Sequence, residues 1–391
     1  MRNVIFLGLV SFFTDLSTEM IYPVVPLYLT AVFGATPALI GLIEGIAESL
    51  ASLLKVYSGY ISDRFQRKKA LAFAGYFTGL LYKAALIFAG SWPGVLFARV
   101  IDRFGKGIRT APRDVLVSES AESGSMGGAF GLHKALDLAG SALGILFTYI
   151  LFRIAWSAQI YRNLFIVSIV PSLLGICMFA FIKERKTKRI KTVRRFPSWR
   201  DFGELDGRLK LYLLVVLLFT LGNSSNAFLL LKAKAVGFDD TSVILLYFIY
   251  NATASVLSFP SGGLSDKVGR KRLLVAGYFV FSAAYMGFAF VHRMAFMYAV
   301  FVLYGVHTAM IAGVERAFIA EISPEHLKGT MLGLHSTVAG IALFPASVIT
   351  GLLWNRFGSV VPFVFGALLS MAAAVILLVF MGYPRGAGES R

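Results

Sequence analysis

The sequence is poor in charge and in the residues that build catalytic or metal centres. Charged residues make up 15% of the 391 positions, far below the roughly 25% of a typical soluble domain. The single cysteine, Cys177, excludes an internal disulfide and gives no support to thiolate-metal or redox chemistry. The sequence contains no HExxH, no GxSxG and no phosphate-binding glycine loop. We therefore expect a protein that is not an enzyme and has no cofactor or metal centre.

Apolar residues are abundant instead. They make up 57% of the chain, and the mean hydropathy is +0.73. The net charge of +17 could indicate a nucleic-acid-binding protein, but the basic residues lie between apolar runs rather than on a solvated domain. The composition therefore predicts an integral membrane protein that contacts lipid and binds no nucleic acid. The first apolar run contains Asp15 and Glu19 and has no small-residue cleavage site, which favours a retained helix over a signal peptide.

Twelve apolar runs are long enough to cross a bilayer, which takes about 20 residues each. They predict an all-α integral membrane protein with twelve transmembrane helices, numbered here as spans 1 to 12. The predicted ranges are 4–31, 37–60, 70–90, 92–116, 127–152, 160–182, 209–233, 241–263, 271–291, 294–320, 329–354 and 361–382.

The chain repeats itself after about half its length. The segment GYISDRFQRKK at residues 59–69 returns as GGLSDKVGRKR at residues 262–272. Arg113 and Arg316 echo each other at the same offset of 203 residues, and two GLH triplets, at Gly131 and Gly333, do so at an offset of 202. The repeat predicts two pseudo-symmetric six-helix bundles, residues 1–182 and 211–391, joined by a linker at 183–210.

Loop charges predict the orientation. The linker holds eleven Lys or Arg residues and each repeated loop holds four, whereas the loops on the other side of the membrane hold few. Because basic loops stay in the cytoplasm, we expect the linker, both repeated loops and both termini there, in a multi-pass protein of the cell membrane. The linker is expected to touch anionic lipid headgroups.

The repeated loop resembles the signature loop of the major facilitator superfamily, approximately GxLaDrxGRrr, which lies between helices two and three and again between helices eight and nine. The resemblance implies twelve helices, transport of a small molecule by a protein that can work as a monomer, and a conformational gate at these loops. For Arg67 and its basic neighbours, a role in topology alone is the alternative. We assign to the gate Gly59, Asp63, Arg64, Arg67, Arg113, Asp266 and Arg270.

Charges also occur inside the predicted spans. Near mid-depth they comprise six acids and six bases, and at about 3 kcal/mol each, twelve isolated charges would cost on the order of 36 kcal/mol. They must therefore be paired, hydrated by a cavity or neutralised. The residues are Asp15, Glu19, Glu44, Glu48, Asp102 and Asp137, with Lys55, Lys83, Arg99, Arg103, Lys106 and Lys134.

Two motifs bear on coupling and direction. The run DRFGKGIRTA in span 4 resembles a second motif of the superfamily, with Arg103 and Gly107 in matching places. In proton-driven members that arginine lies near a first-helix carboxylate, so the resemblance implies proton coupling through Asp15 and Glu19, with Arg103 paired to one of them. Span 5 contains GSALG where exporters often have GPxxG. Plain helix packing explains those glycines equally well.

The remaining polar residues of the spans predict a substrate cavity between the bundles. Carboxylates on spans 1 and 2 favour a cationic or zwitterionic substrate, whereas the basic stripe of span 4 favours an anion. Span 7 carries a polar notch that is expected to unwind, and Tyr22 beside Pro23 is a further candidate for the wall. The cavity residues we predict are Glu44, Glu48, Arg99, Asp102, Lys106, Asp137, Asn223, Asn226, Glu315 and Arg316.

The sequence thus favours a secondary active transporter. In it, the first half couples ions, and the second half shapes the substrate site and offers hydrogen bonds to the substrate. Proton-coupled efflux of a small organic molecule is the first interpretation. Uptake or exchange of a metabolite, an anion or a metal complex is the alternative, as is a transporter-like sensor that no longer transports.

Overall fold

In a computed structural model, the chain is built of helices, and no strand occurs in the part that the structure describes. That part comprises residues 2–65, 68–120, 126–155, 157, 159–183, 206–311, 313–323 and 328–381. The first six spans are Arg2–Ile21 with Val24–Phe33, Pro37–Phe65, Lys68–Ile87, Trp92–Ser120, Met126–Ile154, and Ile160–Val167 with Ile169–Met178 and a 3-10 turn at Phe179–Phe181. The second six are Gly207–Gly222 with Ala227–Val236, Asp240–Val268, Arg270–Phe290, Met294–Ile311 with Val314–Ile322, Lys328–Phe357, and Val360–Phe380.

The predicted all-α membrane fold with twelve spans is confirmed. Within the described ranges, eleven segments are long and apolar enough to cross a membrane. Span 4 is the remaining one, and it misses that standard because it carries charges such as Arg99, Asp102 and Arg103 along its length. It nevertheless packs along spans 2 and 3, inside the first half.

The two halves meet along two pairs of helices, spans 2 and 11 and spans 5 and 8. Spans 2 and 11 run antiparallel in close contact. The Ala38 amide donates to Asn355 Oδ1 over 3.3 Å, and Ser49 Oγ donates to the Gly340 carbonyl over 2.7 Å. A Cβ at Gly41 would lie 2.3 Å from the Ser347 carbonyl oxygen, so only glycine permits this approach.

Spans 1 and 7 are both broken near their middles. Span 1 is interrupted at Tyr22 and Pro23, where proline lacks the N–H that would continue the helix. Span 7 ends at Gly222 and resumes at Ala227, which confirms the predicted unwinding of its polar notch. The breaks expose backbone groups at equivalent depths of the two halves.

The chain ends of each half lie together at one face, called here the terminal face. In the first half, Asn3 Nδ2 donates to the Lys183 carbonyl over 2.7 Å. In the second half, Lys271 Nζ donates to the Leu378 carbonyl over 3.0 Å. The opposite side, where spans 1 and 2 and spans 7 and 8 are joined, is called the far face. Residues 184–205, most of the predicted linker, lie outside the described residues, and span 7 begins at Gly207 within the predicted linker range.

The glycines of GSALG pack span 5 against span 1. A Cβ at Gly140 would lie 2.2 Å from the Phe12 carbonyl oxygen, and one at Gly144 would lie 2.3 Å from the Leu16 carbonyl oxygen. Both glycines therefore meet backbone directly, as the packing interpretation requires.

Candidate functional site

A cavity of about 310 Å³ lies between the two halves at the helix breaks of spans 1 and 7. The second half supplies most of its wall, through spans 7, 8, 10 and 11. The first half contributes one residue from the break in span 1 and one from span 2. The lining consists of Tyr22, Glu48, Phe219, Asn223, Ser224, Ser225, Asn226, Tyr250, Tyr304, His307, Thr308, Ile311, Glu315 and Leu343.

Tyrosines hold the unwound part of span 7 in place. Tyr304 on span 10 places its hydroxyl 2.9 Å from Asn226 Oδ1 and 3.4 Å from Asn223 Oδ1. Its ring packs against Tyr250, with 5.0 Å between the ring centroids. The broken segment therefore presents polar groups at a fixed position beside aromatic faces.

A ladder of ion pairs lies behind the first-half wall. Arg99 on span 4 binds Glu44 on span 2 with both oxygens, at 2.6 and 2.9 Å, and both side chains are buried. One turn further on, Arg103 reaches Glu48 at 2.9 Å. Asp102 lies 3.9 Å from Arg99 and 3.6 Å from Arg103. Each buried guanidinium is thus neutralised by carboxylates of spans 2 and 4.

The ladder is connected to the second half by two contacts at the cavity edge. Ser225, in the break of span 7, donates to Glu44 Oε2 over 3.2 Å. The Tyr22 ring lies 5.3 Å from the Arg99 guanidinium carbon and 5.4 Å from that of Arg103. The same ring stacks on Tyr247 of span 8, with the centroids 5.8 Å apart. A molecule in the cavity would therefore touch groups that hold the halves together.

A second polar group surrounds Asp15. Asp15 Oδ1 lies 3.9 Å from Arg109 of span 4, and its carboxyl neighbours the Asp137 carboxyl on span 5. Asp137 in turn binds Lys134 Nζ at 2.6 Å.

The pairing of Arg103 with Asp15 or Glu19 stays a prediction, since the ion pairs that the described residues show for Arg103 are with other carboxylates. Arg103 is held by Glu48 and Asp102, and Arg109 takes the place beside Asp15. The spacing of residues along one helix does not fix the rotation of that helix toward its neighbours, so it could not tell the two arginines apart. Glu19 keeps one buried carboxylate oxygen without a hydrogen-bond partner.

Glu315 is the acidic group of the second-half wall. Tyr278 of span 9 donates to Glu315 Oε1 over 3.1 Å, and His335 Nε2 of span 11 lies 3.9 Å from Oε2. The Tyr212 hydroxyl of span 7 lies 3.4 Å from the Glu315 carbonyl oxygen. Among the described residues, no lysine or arginine forms an ion pair with this carboxylate.

The sequence matches the model of the Major Facilitator Superfamily over residues 7–231 and 211–390, which together span nearly the whole chain. The chain belongs to the Major Facilitator Superfamily. It is accordingly a multi-pass membrane protein and a secondary transporter, which is a class of carrier rather than of enzyme.

Two proteins with transport- or resistance-related names are similar to this chain in sequence. An uncharacterized MFS-type transporter of Methanocaldococcus jannaschii, MJ1317, is 34% identical over 96% of this chain and 94% of its own length. The quinolone resistance protein NorA of Staphylococcus aureus is 25% identical over 39% of each chain.

Solved structures of the superfamily share the fold. The inward-open xylose transporter XylE of E. coli matches with a TM-score of 0.75 and 17% identity, covering 99% of this chain and 97% of its own. The nucleoside transporter NupG matches with a TM-score of 0.77 and 11% identity, covering 98% and 100%. At these identities the likeness concerns the fold alone.

The residues predicted for the superfamily's substrate cavity fall into three groups. Four of them line the cavity: Glu48, Asn223, Asn226 and Glu315. Glu44, Arg99 and Asp102 are buried in the ladder behind the wall. Lys106, Asp137 and Arg316 are absent from the described lining, and both Lys106 and Arg316 are exposed.

The described residues of the predicted gate lie toward the terminal face. Arg270 forms ion pairs with Asp266 at 3.4 Å and with Glu321 at 3.0 Å, which ties together spans 8, 9 and 10 of one half. Arg113 binds its neighbour Asp114 at 2.8 Å. Gly59, Asp63 and Arg64 belong to the helix Pro37–Phe65, but their side chains lie outside the described part, as does all of Arg67.

Sequence reasoning missed most of the aromatic wall, including Phe219, Tyr250 and Tyr304. Aromatic residues make up 14% of the chain, so no single one stands out. The ladder, in contrast, left a signal. Glu44 and Glu48 are four residues apart on span 2, and Arg99 and Arg103 are four apart on span 4. When the two helices lie side by side, each glutamate therefore faces one arginine, one helical turn after the other.

Proposed function

We propose that the protein exports a small organic molecule from the cytoplasm in exchange for protons, by alternating access to the cavity between its halves. The observation that carries the proposal is the carboxyl pair of Asp15 and Asp137 beside Arg109, in the half that also holds the ladder. Two neighbouring carboxyl groups can share one proton, because each negative charge disfavours the other. A nearby guanidinium favours release of that proton when it moves closer.

Proton transfer would start from Asp15 and Glu19, as the first-half hypothesis states. Arg109 takes the tuning role beside Asp15, and Arg103 acts on Glu19 through the field of the ladder. Lys134 Nζ lies 2.6 Å from Asp137 and balances its negative charge. A proton that arrives at the pair would therefore bind to Asp15 rather than to Asp137. Loading and release then change the net charge of the interface between spans 1, 4 and 5.

Alternating access would use the contacts between the halves as its latch. The halves touch beside the cavity through Ser225 and Glu44, and near the far face through Tyr161, which donates to Asp240 Oδ2 over 2.5 Å. Opening toward the far face requires breaking both contacts. The ion pairs of Asp266, Arg270 and Glu321 would hold the second half rigid while it rocks.

Orientation and direction follow from loop charge and from relatives. The eleven basic residues of the linker support a cytoplasmic terminal face with both termini inside. Export is supported by the partial likeness to a quinolone resistance protein, which covers 39% of this chain. Transport of the compound toward the far face is the resulting direction.

The proposal is tested by measuring internal pH in vesicles that contain the purified protein. A panel of cationic, neutral and anionic compounds is added under an imposed proton gradient, and the parent is compared with Asp15→Asn. We expect a compound-dependent proton flux in the parent that is lost in the variant. Compound movement without any proton flux in the parent would overturn proton coupling, and an undiminished flux in Asp15→Asn would overturn the assignment of Asp15.

A further inference from the structure

The cavity wall carries a net negative charge. Its two carboxylates are Glu48 and Glu315, and among the described residues the lining contains no lysine or arginine. Arg103 neutralises Glu48 from behind the wall at 2.9 Å. The Glu315 carboxylate accepts a hydrogen bond from the Tyr278 hydroxyl over 3.1 Å, and His335 Nε2 lies 3.9 Å away, beyond hydrogen-bond distance. Among the described residues, no lysine or arginine forms an ion pair with it. Glu315 is therefore the acid of the wall whose charge is left for a ligand.

We propose that the transported compound is an organic cation carrying an aromatic or other apolar group, and that Glu315 is the residue that binds its charge. This inference rests on the proposed transport function, because it names the class of compound that the cavity takes. A substituted ammonium ion cannot be matched by the neutral hydroxyls and amides of the wall. A carboxylate that no lysine or arginine ion-pairs, among the described residues, supplies the missing countercharge.

The rings of the wall are suited to the same ligand. Tyr22, Phe219, Tyr250 and Tyr304 border the cavity, and the face of an aromatic ring attracts a cation. Tyr22 already carries this interaction with Arg99 and Arg103 on the side of the ladder. The other three rings lie on spans 7, 8 and 10. Apolar contact and charge attraction are thus available from the same side chains.

The basic residues of span 4, which in the sequence favoured an anion, do not serve this cavity. Arg99 and Arg103 are 1% and 2% exposed, and both are ion-paired with carboxylates of the ladder. Nε and Nη2 of Arg103 form no hydrogen bond among the described residues, but they are buried away from the cavity surface. Releasing either arginine to an anionic ligand would leave buried carboxylates without partners, at a cost of several kcal/mol. An anion would also enter beside Glu315.

The dimensions limit the ligand to a small one. A cavity of about 310 Å³ is at the lower end of small-molecule sites, which run from about 300 to 1,000 Å³. Benzyltrimethylammonium, with one ring and one quaternary nitrogen, is a probe of suitable size. Two further probes share its benzyl group: the neutral alcohol dimethylbenzylcarbinol and the anion phenylmethanesulfonate.

The test is calorimetric binding of these three probes to the full-length protein in detergent. We expect saturable binding of benzyltrimethylammonium, about tenfold or more tighter than that of the neutral alcohol, and no saturable binding of the sulfonate. Glu315→Gln should bring the affinity of the cation down to that of the alcohol. Asp239→Asn, a matched acid-to-amide change at the exposed N-cap of span 8 and outside the cavity, should leave the affinity unchanged.

Equal affinities for the cation and the alcohol in the parent would overturn the proposal, as would tighter binding of the sulfonate or an unchanged affinity in a folded Glu315→Gln. The probe comparison needs the parent alone, so it decides the question even where Glu315→Gln does not fold. Binding does not depend on proton flux. Asp15→Asn is therefore expected to bind the cation, and a parent that binds it but moves no protons would count against proton coupling only.

Discussion

The two halves share one architecture and differ in where they keep their charges. In the described part of the first half, ion pairs run through the interior on spans 1, 2 and 4, as with Glu44 and Arg99. In the second half, the described pairs between fully charged residues lie at the ends of the spans, as with Lys234 and Asp240 or Arg270 and Glu321. The interior of that half keeps Glu315 beside neutral and aromatic groups. The repeated architecture thus keeps the described buried ion pairs in the first half and a largely neutral, aromatic interior in the second.

The largest loss of stability is expected when one member of the first-half ladder is removed. Arg99→Ala leaves Glu44 buried without its guanidinium, and the free energy of unfolding should fall by about 3–5 kcal/mol. Equilibrium unfolding in mixed micelles measures this loss. The matched change in the second half is Arg316→Ala, at an exposed arginine, where we expect a change within about 0.5 kcal/mol. Similar losses in both variants would contradict the contrast between the halves.

Helix packing gives the next largest effect. Gly140→Ala would place a Cβ 2.2 Å from the Phe12 carbonyl oxygen, and we expect it to force spans 1 and 5 apart at about 1–3 kcal/mol in the same unfolding assay. Gly262→Ala is the control in the second half, since a Cβ there meets nothing within 4 Å and alanine favours the helix. Gly262→Ala should therefore be neutral or slightly stabilising. A loss in Gly262→Ala as large as that in Gly140→Ala would refute the packing argument.

The contact between the halves should be weaker than the contacts within them. Ser225→Ala removes the hydrogen bond to Glu44 Oε2, and we expect a coupling energy of about 1 kcal/mol between the two positions. A double-mutant cycle with Glu44→Gln measures that coupling. A value near zero would mean that the serine does not hold the halves together.

The smallest effect is expected at the exposed edge of the first half. Lys134 pairs with Asp137, but its side chain is 64% exposed, so solvent screens the interaction. Lys134→Ala should change the free energy of unfolding by about 0–1 kcal/mol. A loss comparable to that of Arg99→Ala would contradict the expectation that an exposed ion pair stabilises the fold less than a buried one.

The fold was readable from the sequence to a degree that the site was not. The apolar runs predicted twelve spans, because crossing a bilayer imposes a length and a composition on each helix. The polar break of span 7 was predictable from Asn223 and its neighbours. The partner of Asp15 was not, because Arg103 and Arg109 differ by a helix rotation that only packing decides. The aromatic wall was hidden for another reason, since the chain has 35 phenylalanines and 16 tyrosines.

In the proposed function, the first half couples protons while the second half binds the compound. The most direct test follows binding of benzyltrimethylammonium and the proton flux it drives in vesicles, for Asp15→Asn and Glu315→Gln side by side. We predict that Asp15→Asn binds the cation and moves it down its gradient without proton flux, whereas Glu315→Gln loses the binding. If Asp15→Asn lost binding as completely as Glu315→Gln, or kept the full proton flux, the division between the halves would be contradicted.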